Sequence, residues 1–161
     1  MASGIATRAL AGGHSVRLAD RDPAKAKALA GELRGRVPGA DVRELDGDLR
    51  ERVPGADVRG AGGKLAGVVV LALPFAAAEE VAAANREELA GKIAVDISNP
   101  VDFATFDSLV VPPGTSAAER IAAAAPGARV KAFNTTFAGT LVAGQAGGAP
   151  LDVFIAGASA G

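Results

Sequence analysis

The 161-residue chain reads as one α/β domain, residues 1–161, built on a doubly wound parallel sheet, and three observations predict this. Segments with strand patterning alternate with helical ones, the pattern of parallel strands joined by helical crossovers. Val68-Val69-Val70-Leu71-Ala72-Leu73 is a continuous apolar run between Gly67 and Pro74, which suits a strand buried on both faces. Finally, 21 Gly and about 38 Ala leave roughly a third of the chain with little or no side chain, while aromatics are 4%. A core of that composition must bring backbones close together.

The elements follow in order. Met1–Leu10 reads as a helix whose small residues Ala2, Ser3, Gly4 and Ala6 permit close packing on a sheet or a ligand, and no strand precedes it. Ala11-Gly12-Gly13 ends it, glycine being favoured just past a helix. His14–Asp20 alternates with the period of a strand. Asp22-Pro23 opens a second helix, with Asp as N-cap and Pro in the first turn. Ala26, Leu29, Ala30 and Leu33 carry its apolar face, to about Leu33.

Residues 34–67 form a duplicated, Gly-rich insert or loop. Arg36-Val37-Pro38-Gly39-Ala40-Asp41-Val42-Arg43 recurs as Arg52-Val53-Pro54-Gly55-Ala56-Asp57-Val58-Arg59. One pair of copies is too short for a solenoid. Either Ala-Asp-Val-Arg could supply a short edge strand. After the strand at 68–73, the pattern predicts helix Phe75–Leu89, strand Ile93–Ser98 and a connection over 101–113. Ser116 and Glu119 form a capping box for helix Ala117–Ala125. Strand Arg129–Phe133, a Gly/Ala/Thr-rich stretch and strand Asp152–Ala156 complete the chain.

Several function classes are excluded. The net charge is −1, so there is no basic surplus for nucleic acid, and there are too few aromatics to stack bases. Without Cys there is no disulfide scaffold, thiol nucleophile or Cys-ligated zinc site. His14, the one histidine, opens a strand at the sheet's amino-terminal edge and reads as structural. No apolar run is long enough to span a bilayer, and no signal peptide is recognisable, so a cytoplasmic protein without a membrane partner is expected.

The chemistry-bearing candidates lie where strands end, because open α/β sheets bind ligands at the carboxyl ends of their strands. Asp20 closes the strand after the first helix, where dinucleotide-binding sheets place an acid on the adenosine ribose. Ala2 lies 18 positions before it, matching the last position of the glycine fingerprint. The alternative is that Asp20 is a turn residue ahead of the Asp22 cap. Arg21 could take a 2′-phosphate or lie against adenine, or it is a solvated surface charge. Asp20 would repel such a phosphate, so NADP(H) and NAD(H) both stay open. The N-terminus of the first helix, Met1 to Ser3, is placed to take a pyrophosphate. Leu73-Pro74, Asn99-Pro100 and Asn134-Thr135 close three successive strands on one edge. Asn99 and Asn134 could hydrogen-bond a ribose or a carboxamide, or cap their own turns. Asp96 and Asp102 have no acidic partner in evidence, so catalysis by paired carboxylates has little support.

Ser3-Gly4-Ile5-Ala6 through Gly13-His14-Ser15-Val16 and then Asp20-Arg21-Asp22-Pro23-Ala24-Lys25-Ala26 resemble the opening of the coenzyme F420-dependent NADP reductase family. Val68–Pro74, Val95-Asp96-Ile97-Ser98-Asn99-Pro100, Lys131-Ala132-Phe133-Asn134-Thr135 and Asp152-Val153-Phe154-Ile155-Ala156-Gly157 resemble it in the same order. The resemblance covers most of the chain outside about 34–66. It implies a Rossmann-like, NAD(P)-binding domain and hydride exchange between NADPH and the deazaflavin F420. The nicotinamide would lie near Asn99-Pro100 and Asn134-Thr135. Direct hydride transfer between bound cofactors needs no catalytic acid or base. The resemblance also implies a homodimer, formed with a C-terminal segment. Set against the family pattern, the sequence is expected to lack the first strand, the first two fingerprint glycines and the C-terminal segment, and it carries the duplicated insert. A related imine or keto reductase domain, a non-catalytic nucleotide-binding module and an inactive fragment are the alternatives.

Overall fold

The computed structural model describes residues 1–44, 67–125 and 128–158. The chain forms two compact units. The first takes residues from Met1–Lys64 and Thr135–Val153, the second from Leu65–Asn134 and Phe154–Gly161.

In the first unit, α1 (Ala2–Ala11) leads to β1 (Val16–Leu18), α2 (Pro23–Arg36) and β2 (Val42–Glu44). β1 and β2 pair in parallel, with Val16 opposite Val42. Ala6 and Leu10 from α1, Ala30 and Leu33 from α2, and Val42 from β2 make one buried cluster, flanked by Val16, Leu18 and Leu29. The Asp22 carboxylate accepts the Ala24 N–H at 3.0 Å, so the expected N-cap is in place. α2 runs one turn past Leu33, and Arg34 uses that turn to hold β2. It donates to the Val42 carbonyl at 2.7 Å and to both Glu44 oxygens at 3.1 and 3.3 Å. The first copy of the repeat therefore supplies the strand, while the second copy lies outside the described residues.

The Gly/Ala/Thr-rich stretch holds two elements that the pattern did not predict, α5 (Ala138–Ala143) and a hairpin of β6 (Gln145–Ala146) and β7 (Ala149–Pro150). Five of its six residues are small or β-branched, and without a side-chain cap they leave little helical periodicity to read. The hairpin turns on Gly147 and Gly148, both at positive φ (57° and 83°), as a two-residue hairpin loop requires. α5 packs on α1 at Gly4. A Cβ there would lie 2.7 Å from Leu141 Cβ and 3.0 Å from the Ala138 carbonyl oxygen. The small residue at the helix start thus serves a close helix–helix contact.

The second unit contains β3 (Val68–Leu71), α3 (Phe75–Ala84), β4 (Ile93–Asp96), α4 (Ala117–Ala124), β5 (Ala128–Ala132) and β8 (Ile155–Ala158). Its sheet has the order β3-β4-β5-β8. β3, β4 and β5 are parallel, in register Val70–Val95–Val130. α3 buries Phe75, Ala78, Val81 and Ala82, and α4 buries Ala117 and Ile121. Arg120 of α4 pairs with Glu79 of α3 at 2.7 Å and lies 5.6 Å from the Phe75 ring centroid. The capping box closes as expected: the Glu119 N–H donates to Ser116 Oγ at 3.2 Å, and the Ser116 N–H to the Glu119 carboxylate at 2.7 Å.

Among the described residues, β1 and β3 belong to separate sheets. Three expectations are corrected. β3 is not buried on both faces: it is an edge, Val68 is 53% exposed, and only Leu71 is buried. The last strand is Ile155–Ala158 rather than 152–156, and it runs antiparallel to β5, with Arg129 opposite Ala158. An antiparallel edge on an otherwise parallel sheet is common, and hydrophobic patterning carries no information on strand direction. α3 stops at Ala84 instead of continuing to Leu89. The buried Asn85 turns its side chain back to the Val81 carbonyl at 2.8 Å, a local bond that competes with helix continuation.

Candidate functional site at the strand ends

The sequence candidates divide between the units. Met1, Ala2, Ser3, Asp20, Arg21 and Thr135 belong to the first, and Leu73, Pro74, Asn99, Pro100 and Asn134 to the second.

In the first unit, Met1 is the N-cap of α1 and makes no side-chain capping bond. The backbone donors of the first turn are therefore open to an anion. The side chain of Ser3 is engaged elsewhere. Its hydroxyl donates to Glu32 at 2.8 Å and accepts from Arg36 at 2.7 Å, tying α1 to α2. Glu32 and Arg36 pair with each other at 2.7 Å. Asp20 is exposed beyond β1, and one carboxylate oxygen accepts the Asp22 N–H at 2.9 Å. This is the turn role, and it leaves the second oxygen for a ligand hydroxyl. Arg21 is exposed and has no side-chain partner among the described residues. Thr135 is exposed.

In the second unit, Leu73 is half-buried, and Pro74 is the exposed N-cap of α3, with φ −57° and ψ 151°. Proline there directs the chain from β3 into α3 without needing an N–H. Asn99 and Asn134, which follow β4 and β5, meet each other. Asn99 Nδ2 donates to the Asn134 carbonyl at 3.2 Å, and Asn134 Nδ2 to Asn99 Oδ1 at 3.4 Å. Neither merely caps its own turn. Phe133, just before Asn134, is at φ 63°, a region that bulky residues rarely adopt. Such backbone persists where its surroundings over-determine it, often at functional sites.

Beneath this pair lies a charged network that the sequence reading missed. Asp96, only 3% exposed, pairs with Lys131 at 2.7 Å, and the two are register partners across β4 and β5. The other Asp96 oxygen accepts the Ser98 N–H at 2.8 Å, while Lys131 Nζ also donates to the Ser98 carbonyl. One signal could have revealed it. In Asp96-Ile97-Ser98-Asn99 and Lys131-Ala132-Phe133-Asn134, opposite charges stand three residues before an Asn on neighbouring strands.

Pro100–Val111 forms an ordered excursion after Asn99. Val101 bridges Leu109, and the Val110 N–H donates to the Pro100 carbonyl at 2.8 Å. Phe103 and Phe106 meet edge-on, ring centroids 5.6 Å apart, and both are exposed. Among the described residues no helix is long and apolar enough to cross a membrane.

Comparison with known proteins bears on the whole arrangement. The family model described as "NADP oxidoreductase coenzyme F420-dependent" matches residues 1–100. Among solved structures, the chain is similar to a provisionally assigned F420-dependent NADP reductase from Arthrobacter sp. FB24. Identity is 32%, coverage 98% of this chain and 71% of the other, and the TM-score 0.65. It is also similar to the hypothetical protein SMa0349 from Sinorhizobium meliloti, at 26% identity and a TM-score of 0.67. That match covers 91% of this chain and 62% of the other, so the chain spans less than two thirds of that protein. No curated protein matches it. The fold is of the Rossmann-like, NADP-binding type, and the chain belongs to the family of NADP oxidoreductases described as coenzyme F420-dependent.

Proposed function

We propose that the chain binds NADP(H) and supports hydride exchange between NADPH and coenzyme F420. The observation that carries the reading is the family match over residues 1–100, which includes the strand ending before Asn99. The residues present suit such a ligand. The uncapped start of α1 at Met1, Ala2 and Ser3 offers backbone donors to a pyrophosphate. The free Asp20 oxygen suits a ribose hydroxyl, Arg21 could take a 2′-phosphate, and the choice of NADP over NAD rests on the family match. Asn99 and Asn134 retain amide donors and acceptors after bonding each other, so they can orient a carboxamide or a ribose. The proposed binding residues also include Leu73, Pro74 and Pro100 of the second unit and Thr135 of the first.

When bound, NADPH supplies a hydride from its nicotinamide ring, for which the F420 deazaflavin is the acceptor. The chain's contribution is orientation, since hydride transfer needs no protein acid or base. The reading also places the protein in the cytoplasm.

Titration of NADPH fluorescence against the full chain tests the cofactor, and the absorbance of F420 tests the acceptor. A saturable change with NADPH and NADPH-dependent loss of F420 absorbance are expected. A folded sample that leaves millimolar NADPH unchanged would rule out the cofactor. Binding without any F420 turnover would rule out the acceptor.

A further inference from the structure

We infer that Asp96 and Lys131 are positioning residues, a charged clamp that sets Asn99 against Asn134. The inference rests on the proposed function only for which ligand the two amides meet.

The pair grips a single residue by its backbone. Asp96 takes the Ser98 N–H, Lys131 donates to the Ser98 carbonyl, and the two charges hold each other at 2.7 Å. The Ser98 hydroxyl is buried and has no hydrogen-bond partner among the described residues, so Ser98 is held by its peptide groups. Asn99 is the next residue, and its side chain reaches the Asn134 backbone from a fixed origin. Lys131 and Asn134 are joined through Ala132, which is buried, and Phe133, whose φ of 63° leaves little freedom. Both asparagines therefore leave the sheet from anchored backbone.

Packing alone does not call for this arrangement. A buried ion pair can often be replaced by apolar residues of similar volume without loss of stability. What an apolar pair cannot do is hold an N–H and a C=O in fixed directions. After their mutual bonds, Asn134 Oδ1 and one N–H on each amide are left over. That combination of acceptor and donors matches a primary carboxamide.

The test compares the full chain with Lys131→Met, Lys131→Arg and the apolar double variant Asp96→Leu/Lys131→Met. Side-chain amide signals of Asn99 and Asn134 are recorded by NMR without ligand. NADPH affinity and the single-turnover rate of hydride transfer to F420 are then measured. Both amide signals are expected to move toward random-coil positions in Lys131→Met and in the double variant, and to return in Lys131→Arg. Hydride transfer should slow by about 10- to 100-fold, with NADPH affinity changed less than about threefold, because misplacement rather than lost contact area is the defect. Amide signals that superimpose on wild type would overturn the clamp. So would unfolding of both Met-containing variants, which would make the pair purely structural. Equal losses in affinity and rate would also overturn it. If wild type ignores NADPH, the proposed function fails, and the amide signals alone decide the clamp.

Discussion

The strands β1 and β4 both end in an acidic residue or lead into one, yet the two ends are held in opposite ways. After β1, Asp20 bonds to the backbone two residues on, and both Asp20 and Arg21 stay exposed. At the end of β4, Asp96 also bonds to the backbone two residues on, but it is buried and paired with a lysine from the neighbouring strand. The same local turn chemistry is an independent surface feature in one place and part of a cross-strand network in the other. Burial and a partner far away in sequence decide what an aspartate is worth.

The largest effect expected from this contrast is in stability. Asp96→Ala leaves the Lys131 ammonium without its partner in a mostly dry site and should cost about 3 kcal/mol, whereas Asp20→Ala should stay within about 0.5 kcal/mol. Urea unfolding of the two variants measures the difference, and equal midpoints would break the comparison. Leu33→Ala asks whether the first unit depends on its apolar cluster as heavily as the second depends on its network. Leu33 is fully buried, so a loss of about 2–4 kcal/mol is expected in the same urea experiment. Gly4→Ala should cost about 1–3 kcal/mol by forcing α1 away from α5, read as a lower melting temperature. Removing the Asp22 cap with Asp22→Ala should cost about 1 kcal/mol. The smallest effect is a pH dependence at Glu44. Hydrogen bonds from Arg34, and then its own backbone N–H, hold its carboxyl below the usual carboxylate range. A carboxylate depressed in the folded state stabilises above its unfolded pKa, about 4.3, and loses that contribution as pH falls through the folded value. The gap in melting temperature between wild type and Glu44→Gln should therefore be open at pH 7 and close at acidic pH.

The contrast also explains what could be read from residues alone. The Asp22 cap, the Ser116–Glu119 box and the turn at Asp20 are bonds between near neighbours, and their spacing announces them. The strand ends at Asn99 and Asn134 were legible as polar turns. Their contact with each other was not, because it depends on β4 and β5 being adjacent and in register. Lys131 escaped notice for the same reason, since a lone lysine in a strand reads as surface charge. The antiparallel course of β8 and the edge position of β3 depend on which strands pair, which hydrophobic pattern leaves undetermined. α5 was missed because its small residues carry a weak pattern, although the Gly147-Gly148 turn after it was open to recognition.

The contact between α1 and α5 also has a consequence in time. Arg8 donates to the Val142 carbonyl at 2.9 Å, across 134 residues of chain. During synthesis the first helix emerges long before the segment that packs on Gly4. At about 5–20 residues per second, that interval is roughly 7–27 seconds. Over that period Leu10 and its neighbours can gather with α2 and β2, but the helix face at Gly4 must wait. The first unit is thus closed by a segment synthesised 134 residues after Arg8, so its first helix waits for its partner while the rest of the unit can already gather.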